Sequence, residues 1–394
     1  MLGGTKACPD LAGMSVCALI MKQILTMGCP HFDYPKGSTA QAAAFIHDLI
    51  SPPARFPSGT VAAGLMSSPH DGGTATKLQN GDVLVAGGDG VLESPTSIAE
   101  IYHPSSNSWT TVSPMSVERG QNHTATWLPD NRVLLLGGNL GFQGTADTAE
   151  IFDPATGSWS PAAHTLSPSR NGHTAVLLSS GKVLVAGGYG DAAATAELYD
   201  PSTNTWSYTG ALTTPRSGAK ATLLHGGKVL LSGGQLASGG LTGSAEIYDP
   251  SKGTWTATGS MSMPRWAFTS AILPDGRILV AGGLNGSQSS GTTQASVELY
   301  DPKKGSWTAA QSMASGRVEP AAVTLPNGQV LISGGIDPYG HLLSTAESYD
   351  PASGLWHLAA VMTAGRSIHM MTVLNSGKVL IAGGDGGLTA ELYG

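Results

Sequence analysis

A pair of glycines ends a short apolar run seven times in this sequence of 394 residues. The first glycines of the pairs are Gly87, Gly137, Gly187, Gly233, Gly282, Gly334 and Gly383, at intervals of 46 to 52 residues. Self-similarity at such a period is typical of repeat architectures, in which each unit covers the hydrophobic faces of its neighbours. The repeat therefore overrides the two or three domains that the length alone suggests.

Each repeat carries further elements in a fixed order. The runs before the glycine pairs are rich in Val, Leu and Ile, and a second run with a glutamate and an aromatic residue follows. The aromatic residues are Tyr102, Phe152, Tyr199, Tyr248, Tyr300, Tyr349 and Tyr393, and a tryptophan follows seven residues later in the first six units. Such runs, separated by turn signals, predict short strands. Seven sheets of four strands, arranged radially, bury both faces of every sheet.

This order of Gly-Gly, Tyr and Trp at a period of about 50 residues resembles the kelch repeat. The repeats look more like those of bacterial kelch proteins than those of animal ubiquitin-ligase adaptors. The resemblance implies an all-β, seven-bladed kelch β-propeller with four antiparallel strands per blade, as in the central domain of galactose oxidase-like proteins. We expect it to span residues 58–394, after an N-terminal extension over residues 1–57 that is partly helical or disordered, with a short helix at 38–51.

Composition and charge exclude several classes of protein. With 41% apolar residues the chain can bury a core, and its net charge of −7 argues against a nucleic-acid partner. No apolar stretch is long enough to predict a membrane span. The low charge and the many small polar residues favour a secreted or cell-envelope location, with the cytoplasm as the alternative.

The three cysteines, Cys8, Cys17 and Cys29, all precede the repeats. We therefore expect no disulfide and no thiolate metal site in the propeller. Some kelch propellers, of the galactose-oxidase type, carry copper and a cysteine-linked tyrosine, which this propeller cannot form without a cysteine. We expect no cofactor and no metal ion.

Loop lengths indicate which face of the propeller binds ligands. In an up-and-down blade, the loops between the second and third strands lie on the same face as the loops between blades. Between the glycine pair and the repeat glutamate, these 2–3 loops contain 6 to 14 residues, whereas the other turns are uniformly short. Variable loops on a rigid scaffold usually carry function. We therefore expect a protein or glycan partner on this 2–3/4–1 face.

A ring of basic residues also recurs once per blade. An arginine stands 17 residues before the first glycine in five units, Arg119 is shifted by one residue, and His70 takes the place in the first unit. Two interpretations are open: ion pairs with the repeat glutamates, or contacts with an anionic or sugar ligand. With two aromatic residues that depart from the repeat, the candidate ligand-binding residues are Arg170, Arg216, Arg265, Trp266, Arg317, Tyr339 and Arg366.

The sequence contains no recognisable catalytic motif, and we assign no catalytic residue. Three histidines, His123, His173 and His369, recur near the arginines, but on blades that are not all neighbours, so hydrogen bonding is a better explanation than metal binding. We expect a monomeric scaffold that binds a protein or another ligand. The alternative is a carbohydrate-active propeller that binds glycans or resembles the sialic-acid mutarotase, which would need a titratable residue outside the repeat, such as Glu118 or Glu319.

The seventh unit ends at Tyr393 and Gly394 without a tryptophan strand. Counting back from Gly87 by the usual distance between Trp and Gly-Gly reaches Gly59 or Thr60. The sequence therefore predicts that residues 58–62 supply the outer strand of the last blade, pairing with residues 390–393.

Overall fold

The apolar runs before the glycine pairs form the second strands of seven four-stranded antiparallel sheets. These sheets belong to a computed structural model, which describes residues 60–90, 93–141, 144–162, 169–286 and 291–394. The predicted all-β, seven-bladed propeller is thus confirmed. The helix predicted at 38–51 and the extension over 1–57 lie outside the described residues.

In each blade, the four strands follow one another from the central axis of the propeller to its outer rim. The first strands are Thr74–Lys77, Thr124–Trp127, Thr174–Leu177, Lys220–Leu223, Thr269–Ile272, Ala321–Thr324 and Met370–Val373. The second strands are Val83–Ala86, Val133–Leu136, Val183–Ala186, Val229–Ser232, Ile278–Ala281, Val330–Ser333 and Val379–Ala382. The third strands are Ala99–His103, Ala149–Asp153, Ala196–Asp200, Ala245–Asp249, Val297–Asp301, Thr345–Asp350 and Thr389–Tyr393. The fourth strands of blades 1 to 6 are Ser108–Thr111, Ser158–Pro161, Thr205–Tyr208, Thr254–Thr258, Ser306–Ala310 and Leu355–Val361.

Packing between blades forms the core. Every second strand is fully buried, because a sheet lies against each of its faces. In blades 1 to 6 the aromatic residue of the third strand stands opposite the tryptophan of the fourth, with ring centroids 4.9 to 5.1 Å apart. Trp109 and Trp307 each donate an indole hydrogen bond to a carbonyl of the preceding blade, at 2.7 and 2.8 Å. The repeat aromatics therefore join blades as well as strands.

The fourth strand of blade 7 comes from the segment that precedes blade 1 in the sequence. Val61–Leu65 pairs with Thr389–Tyr393, with Val61 opposite Leu392 and Ala62 opposite Glu391. This register places Thr60 opposite Tyr393, where the other blades have tryptophan. The predicted pairing is confirmed. The predicted bounds of 58–62, however, lie about three residues too early. Fourth strands begin no earlier than one residue before the tryptophan position, and they extend beyond it.

The first strand of each blade lies beside the first strands of both neighbours, and that of blade 7 lies beside that of blade 1. The ring is therefore closed at its centre as well as at its edge. None of the helices in the described part of the chain has the length and apolar character needed to cross a membrane.

Two groups of loops meet at one end of the propeller, as predicted. The 2–3 loops are residues 87–98, 137–148, 187–195, 233–244, 282–296, 334–344 and 383–388, and the 4–1 loops are residues 66–73, 112–123, 162–173, 209–219, 259–268, 311–320 and 362–369. Backbone bridges such as Trp266 to Leu284 and Val318 to Ile336 join the two groups. Together these loops form the 2–3/4–1 face.

Candidate functional site

The repeat arginines form buried ion pairs with the repeat glutamates of the same blade. The Nη2–Oε1 distances lie between 2.8 and 3.2 Å. The pairs are Arg119–Glu150, Arg170–Glu197, Arg216–Glu246, Arg265–Glu298, Arg317–Glu347 and Arg366–Glu391. All six arginine side chains are at most 1% exposed. The first of the two interpretations, structural ion pairing, is therefore confirmed.

Blade 4 shows what such a pair connects. Arg216 donates from Nη1 to the carbonyls of Gly233 and Ser244, at 3.1 and 2.7 Å. The carboxylate of Glu246 accepts from Arg216 and also from the backbone N–H groups of Thr213 and Thr214, at 2.7 and 3.0 Å. The pair therefore fastens the 4–1 loop to the glycine turn and to the third strand.

In blade 1, His70 takes the place of the arginine. Its Nδ1 lies 2.7 Å from the carbonyl of Gly87 and its Nε2 lies 3.0 Å from the carboxylate of Glu100. Both ring nitrogens thus lie within hydrogen-bonding distance of an oxygen, as the Nη atoms of the arginines do in the other blades. Burial would raise the pKa of Glu100, but hydrogen bonds from His70 and from the Ser67 N–H hold that pKa below its usual value.

This burial bears on the candidate ligand-binding residues. Arg170, Arg216, Arg265, Arg317 and Arg366 present no appreciable surface, and their Nη atoms already donate to carbonyl, hydroxyl and carboxylate oxygens. A ligand that contacted them would have to displace these hydrogen bonds. Their ligand-binding role stays a prediction, whereas their structural role is visible.

The two aromatic candidates lie on the 2–3/4–1 face in different environments. Trp266 is half-buried, and its indole packs on the backbone of the neighbouring blade so closely that a Cβ at Gly218 would stand 2.7 Å from Nε1. Tyr339 is 75% exposed at the tip of the 2–3 loop of blade 6. Tyr189 in blade 3 is 39% exposed. Tyr339 and Tyr189 are therefore available to a partner.

A small pocket lies beside Tyr189, between the 2–3 loops of blades 3 and 4. Its volume is about 160 Å³. Its lining includes Tyr189, Ala193, Ser217, Gln235 and Leu236. Pockets for small molecules usually measure about 300–1,000 Å³. This pocket therefore suits one side chain of a partner better than a drug-sized ligand.

One residue of each 4–1 loop has a left-handed backbone conformation, and sequence analysis missed these seven positions. They are Gly72, Asn122, Gly172, Gly218, Ala267, Glu319 and Ile368, with φ between 48° and 70°. Five of them donate a backbone hydrogen bond to the equivalent residue of the preceding blade, or of blade 7 for blade 1, at 2.7 to 3.4 Å. The sequence does indicate a left-handed residue in blades 3 and 4, where a glycine stands two residues after Arg170 and Arg216.

Two charged residues stand out on this face: Glu319, one of these seven residues, and Lys220. Glu319 is half-buried, and burial raises its pKa, although the positive charge of Lys220 opposes the shift. Lys220 opens the first strand of blade 4, where crowding by the surrounding protein lowers its pKa and the negative charge of Glu319 opposes the shift. The other blades have uncharged residues at both positions. This pair therefore breaks the symmetry of the face.

The three recurring histidines pack between blades. Nε2 of His173 lies 2.9 Å from the hydroxyl of Thr124, and Nε2 of His369 lies 2.7 Å from that of Ser333. Burial, reinforced by the charges of nearby arginines, lowers the pKa of each of these two histidines to about 3. The pKa of His123 falls to about 4 for the same main reason. All three rings are therefore neutral at physiological pH.

Among the described residues, no three His, Cys, Asp or Glu side chains are grouped so that they could hold a metal ion.

Comparison with known proteins identifies the repeats. The chain matches the family model of the KLHDC2/KLHL20/DRC7 Kelch-repeats domain over residues 72–283 and again over residues 172–384. The two matches together cover most of the chain and include all seven glycine pairs. No curated protein matches the chain in sequence.

Solved structures share the architecture at low sequence identity. One is a novel fungal alcohol oxidase with catalytic diversity among the AA5 family, in complex with copper, with a TM-score of 0.69 and 18% identity over 86% of this chain and 76% of that chain. Another is the structure of YjhT, with a TM-score of 0.59 and 18% identity over 75% of this chain and 98% of that chain. Likeness at this identity concerns the fold alone.

Proposed function

The chain belongs to the kelch-repeat domains, and from this premise we propose that it is an interaction scaffold whose protein partner binds the 2–3/4–1 face. The observation that carries the proposal is the exposure of Tyr189 and Tyr339 on loops of a rigid ring. Tyrosine is enriched among the residues that dominate binding energy, because it offers a large contact area with a polar end.

The pocket beside Tyr189 supports a macromolecular partner over a small ligand. Its volume of about 160 Å³ admits one side chain, and its walls come from the 2–3 loops of two neighbouring blades and from Ser217 of the 4–1 loop between them. A partner that inserts a side chain there would also reach the exposed ring of Tyr189.

The test compares face variants with turn variants of the full chain. Tyr189→Ala and Tyr339→Ala should remove proteins that co-purify with the wild-type chain from its own cells. Thr203→Lys and Ser251→Lys, in the short turns at the opposite end, should retain them. Loss of partners by the turn variants, with retention by the tyrosine variants, would place the binding surface at the other end.

A carbohydrate-active propeller remains the second candidate, and Glu319 is the observation that favours it. This carboxyl lies outside the repeat and is half-buried on the 2–3/4–1 face, and burial raises its pKa. A carboxylic acid whose pKa is raised is a better proton donor to a substrate than an ordinary carboxylate. Glycan-array binding that Glu319→Gln abolishes and Glu118→Gln preserves would support this candidate, and the absence of any glycan bound by the wild-type chain would eliminate it.

A further inference from the structure

The charges of the propeller are unevenly divided between its two ends. The 2–3 and 4–1 loops contain nine carboxylates besides the repeat glutamates of the third strands: Asp71, Asp89, Glu93, Glu118, Asp147, Asp191, Glu319, Asp337 and Asp385. The same loops contain no lysine, and their arginines are the six members of the buried pairs. Because those pairs are internally neutralised, they offer little positive charge to solvent.

The opposite end is balanced. Its turns and adjoining strand ends carry nine basic residues: Lys77, Arg132, Lys182, Lys228, Lys252, Arg277, Lys303, Lys304 and Lys378. Eight aspartates accompany them: Asp82, Asp130, Asp153, Asp200, Asp249, Asp275, Asp301 and Asp350. Several form surface ion pairs, such as Lys182–Asp200 at 3.2 Å and Lys228–Asp249 at 3.1 Å. The net negative charge of the chain is therefore concentrated on the 2–3/4–1 face.

Few cations compensate the acids of this face within the described residues. Asp385 lies 3.3 Å from Arg366, which it shares with Glu391, and Asp337 lies 3.2 Å from His341. Lys220 lies at the same end of the propeller, and its positive charge interacts with the carboxylate of Glu319.

The remaining acids are exposed or repel one another. Glu93, Glu118, Asp147 and Asp191 are exposed. Burial raises the pKa of Asp71, and the charges of Asp385 and Asp89 raise it further. Most of the negative charge on this face is thus left without a compensating cation among the described residues.

We infer that the partner of the 2–3/4–1 face is a basic protein segment, rich in lysine or arginine, which brings the positive charge that the face lacks. The inference rests on the proposed scaffold function and specifies its partner. It differs from the interpretation of the repeat arginines as contacts for an anionic ligand, since those arginines are buried. Complementary charge of this kind accelerates association and excludes partners of like charge.

The exposed aromatic residues and the pocket fit the same partner. Asp191 is exposed two residues after Tyr189, in the same loop as the pocket residues Tyr189 and Ala193, so this loop carries both an aromatic ring and a negative charge. A lysine or arginine side chain combines an aliphatic stem with a charged end, and its cation is attracted by the face of an aromatic ring. The pocket volume of about 160 Å³ suits one such side chain.

Two pools of synthetic peptides test the inference with the full chain. Both have random sequences with one tyrosine; one is enriched in Lys and Arg, and the other in Asp and Glu. At low salt we expect the wild-type chain to bind the basic pool at least about tenfold more tightly, and this preference to shrink at high salt. Equal or tighter binding of the acidic pool would overturn the inference.

A matched pair of variants locates the effect. Glu118→Gln, Asp147→Asn and Asp191→Asn together change the charge of the face by three, and should weaken binding of the basic pool about fivefold or more. Ser105→Lys, Ala155→Lys and Ala352→Lys add the same charge to the third-to-fourth turns. Blade 5 already has Lys303 at this turn position, so the substitution is compatible with the fold. Equal weakening by the control variant would show that only net charge matters.

The outcomes separate this inference from the scaffold proposal. A cellular partner that depends on Tyr189 and Tyr339 but binds more tightly to the neutralised face would leave the scaffold in place and overturn the basic partner. Basic peptides that bind the face although no cellular partner depends on those tyrosines would support the charge preference and contradict the proposed scaffold.

Discussion

The Nη2 atom of Arg216 lies 3.0 Å from Oε1 of Glu246, and both side chains are at most 1% exposed. Removing one partner of such a buried pair leaves the other charge without compensation. We therefore expect Arg216→Ala to lower the free energy of unfolding by about 3–5 kcal/mol, measured by denaturant titration of the full chain. The matched control is Lys228→Ala, which breaks an exposed pair with Asp249 and should leave the unfolding midpoint almost unchanged. Similar small effects of both variants would contradict a structural role for the buried pair.

The buried histidines predict loss of stability in mild acid. Their folded pKa values of about 3 to 4 lie below the ordinary value of about 6.5, so the unfolded chain binds protons first as the pH falls. Their contribution is fully present above pH 6.5 and is lost as the pH falls toward 4 and below.

His173→Phe isolates one of these histidines, because Phe268 takes the equivalent position in blade 5. Phe268 packs on Gly233 as His173 packs on Gly137. Between pH 6 and 4, the slope of unfolding free energy against pH should fall by about one proton, or about 1.4 kcal/mol per pH unit, relative to wild type. Parallel pH profiles of variant and wild type, measured by chemical denaturation, would contradict the neutral buried state of this ring.

Closure of the ring predicts a sharp boundary for truncation. Deleting residues 1–57 leaves the strand Val61–Leu65 intact and should give a soluble chain that melts cooperatively. Deleting residues 1–64 removes the partner of Thr389–Tyr393, so that edge is unpaired and should cause aggregation. Light scattering and thermal melting distinguish the two chains. The same behaviour from both would show that the ring closes without this strand.

Ala267 has a left-handed backbone, with φ of 54°, which costs a residue with a side chain roughly 1–2 kcal/mol. Ala267→Gly relieves this strain and loses only a methyl group, while glycine costs about 0.5–1 kcal/mol in the unfolded chain. We expect the stability to stay unchanged or to rise by up to about 1 kcal/mol. Ala271→Gly in the adjoining first strand, at a buried position, should destabilise the protein instead. A clear loss of stability in Ala267→Gly would mean that its methyl group is needed for packing.

The repeat could be predicted because its residues act through local rules. The glycine pairs, the aromatic residue and the tryptophan each recur at a fixed spacing, so seven blades and their strands follow from counting. The pairing of the two ends of the propeller also followed from counting, since the missing tryptophan strand required a substitute near Thr60. The bounds were displaced because counting locates a residue and not the extent of a ladder.

The site was harder to predict, because the sequence shows that a residue is charged but not whether its side chain points to solvent or into the protein. Arg216 and Glu246 were expected either to face a ligand or to face each other, and the sequence is the same in both cases. Their burial depends on the 4–1 loop folding back over the third strand, which is a tertiary contact. The net charge of −7 likewise conceals its location, because the acidic face appears only after the arginines have been placed inside. Left-handed residues such as Ile368 gave no local signal, since β-branched residues rarely adopt that conformation.

The closing strand also has a consequence for protein synthesis. Val61 and Leu392 are direct neighbours in blade 7, but 331 residues separate them along the chain. A ribosome adds about 5–20 residues per second, so the two are made roughly 15 to 70 seconds apart. During that interval the strand at 61–65 is outside the exit tunnel without its partner, while blades 1 to 6 can form in order behind it. Its unpaired backbone edge and Ala63, which is fully buried once the ring closes, are therefore open to chaperones and to other nascent chains for longer than the outer strand of any other blade.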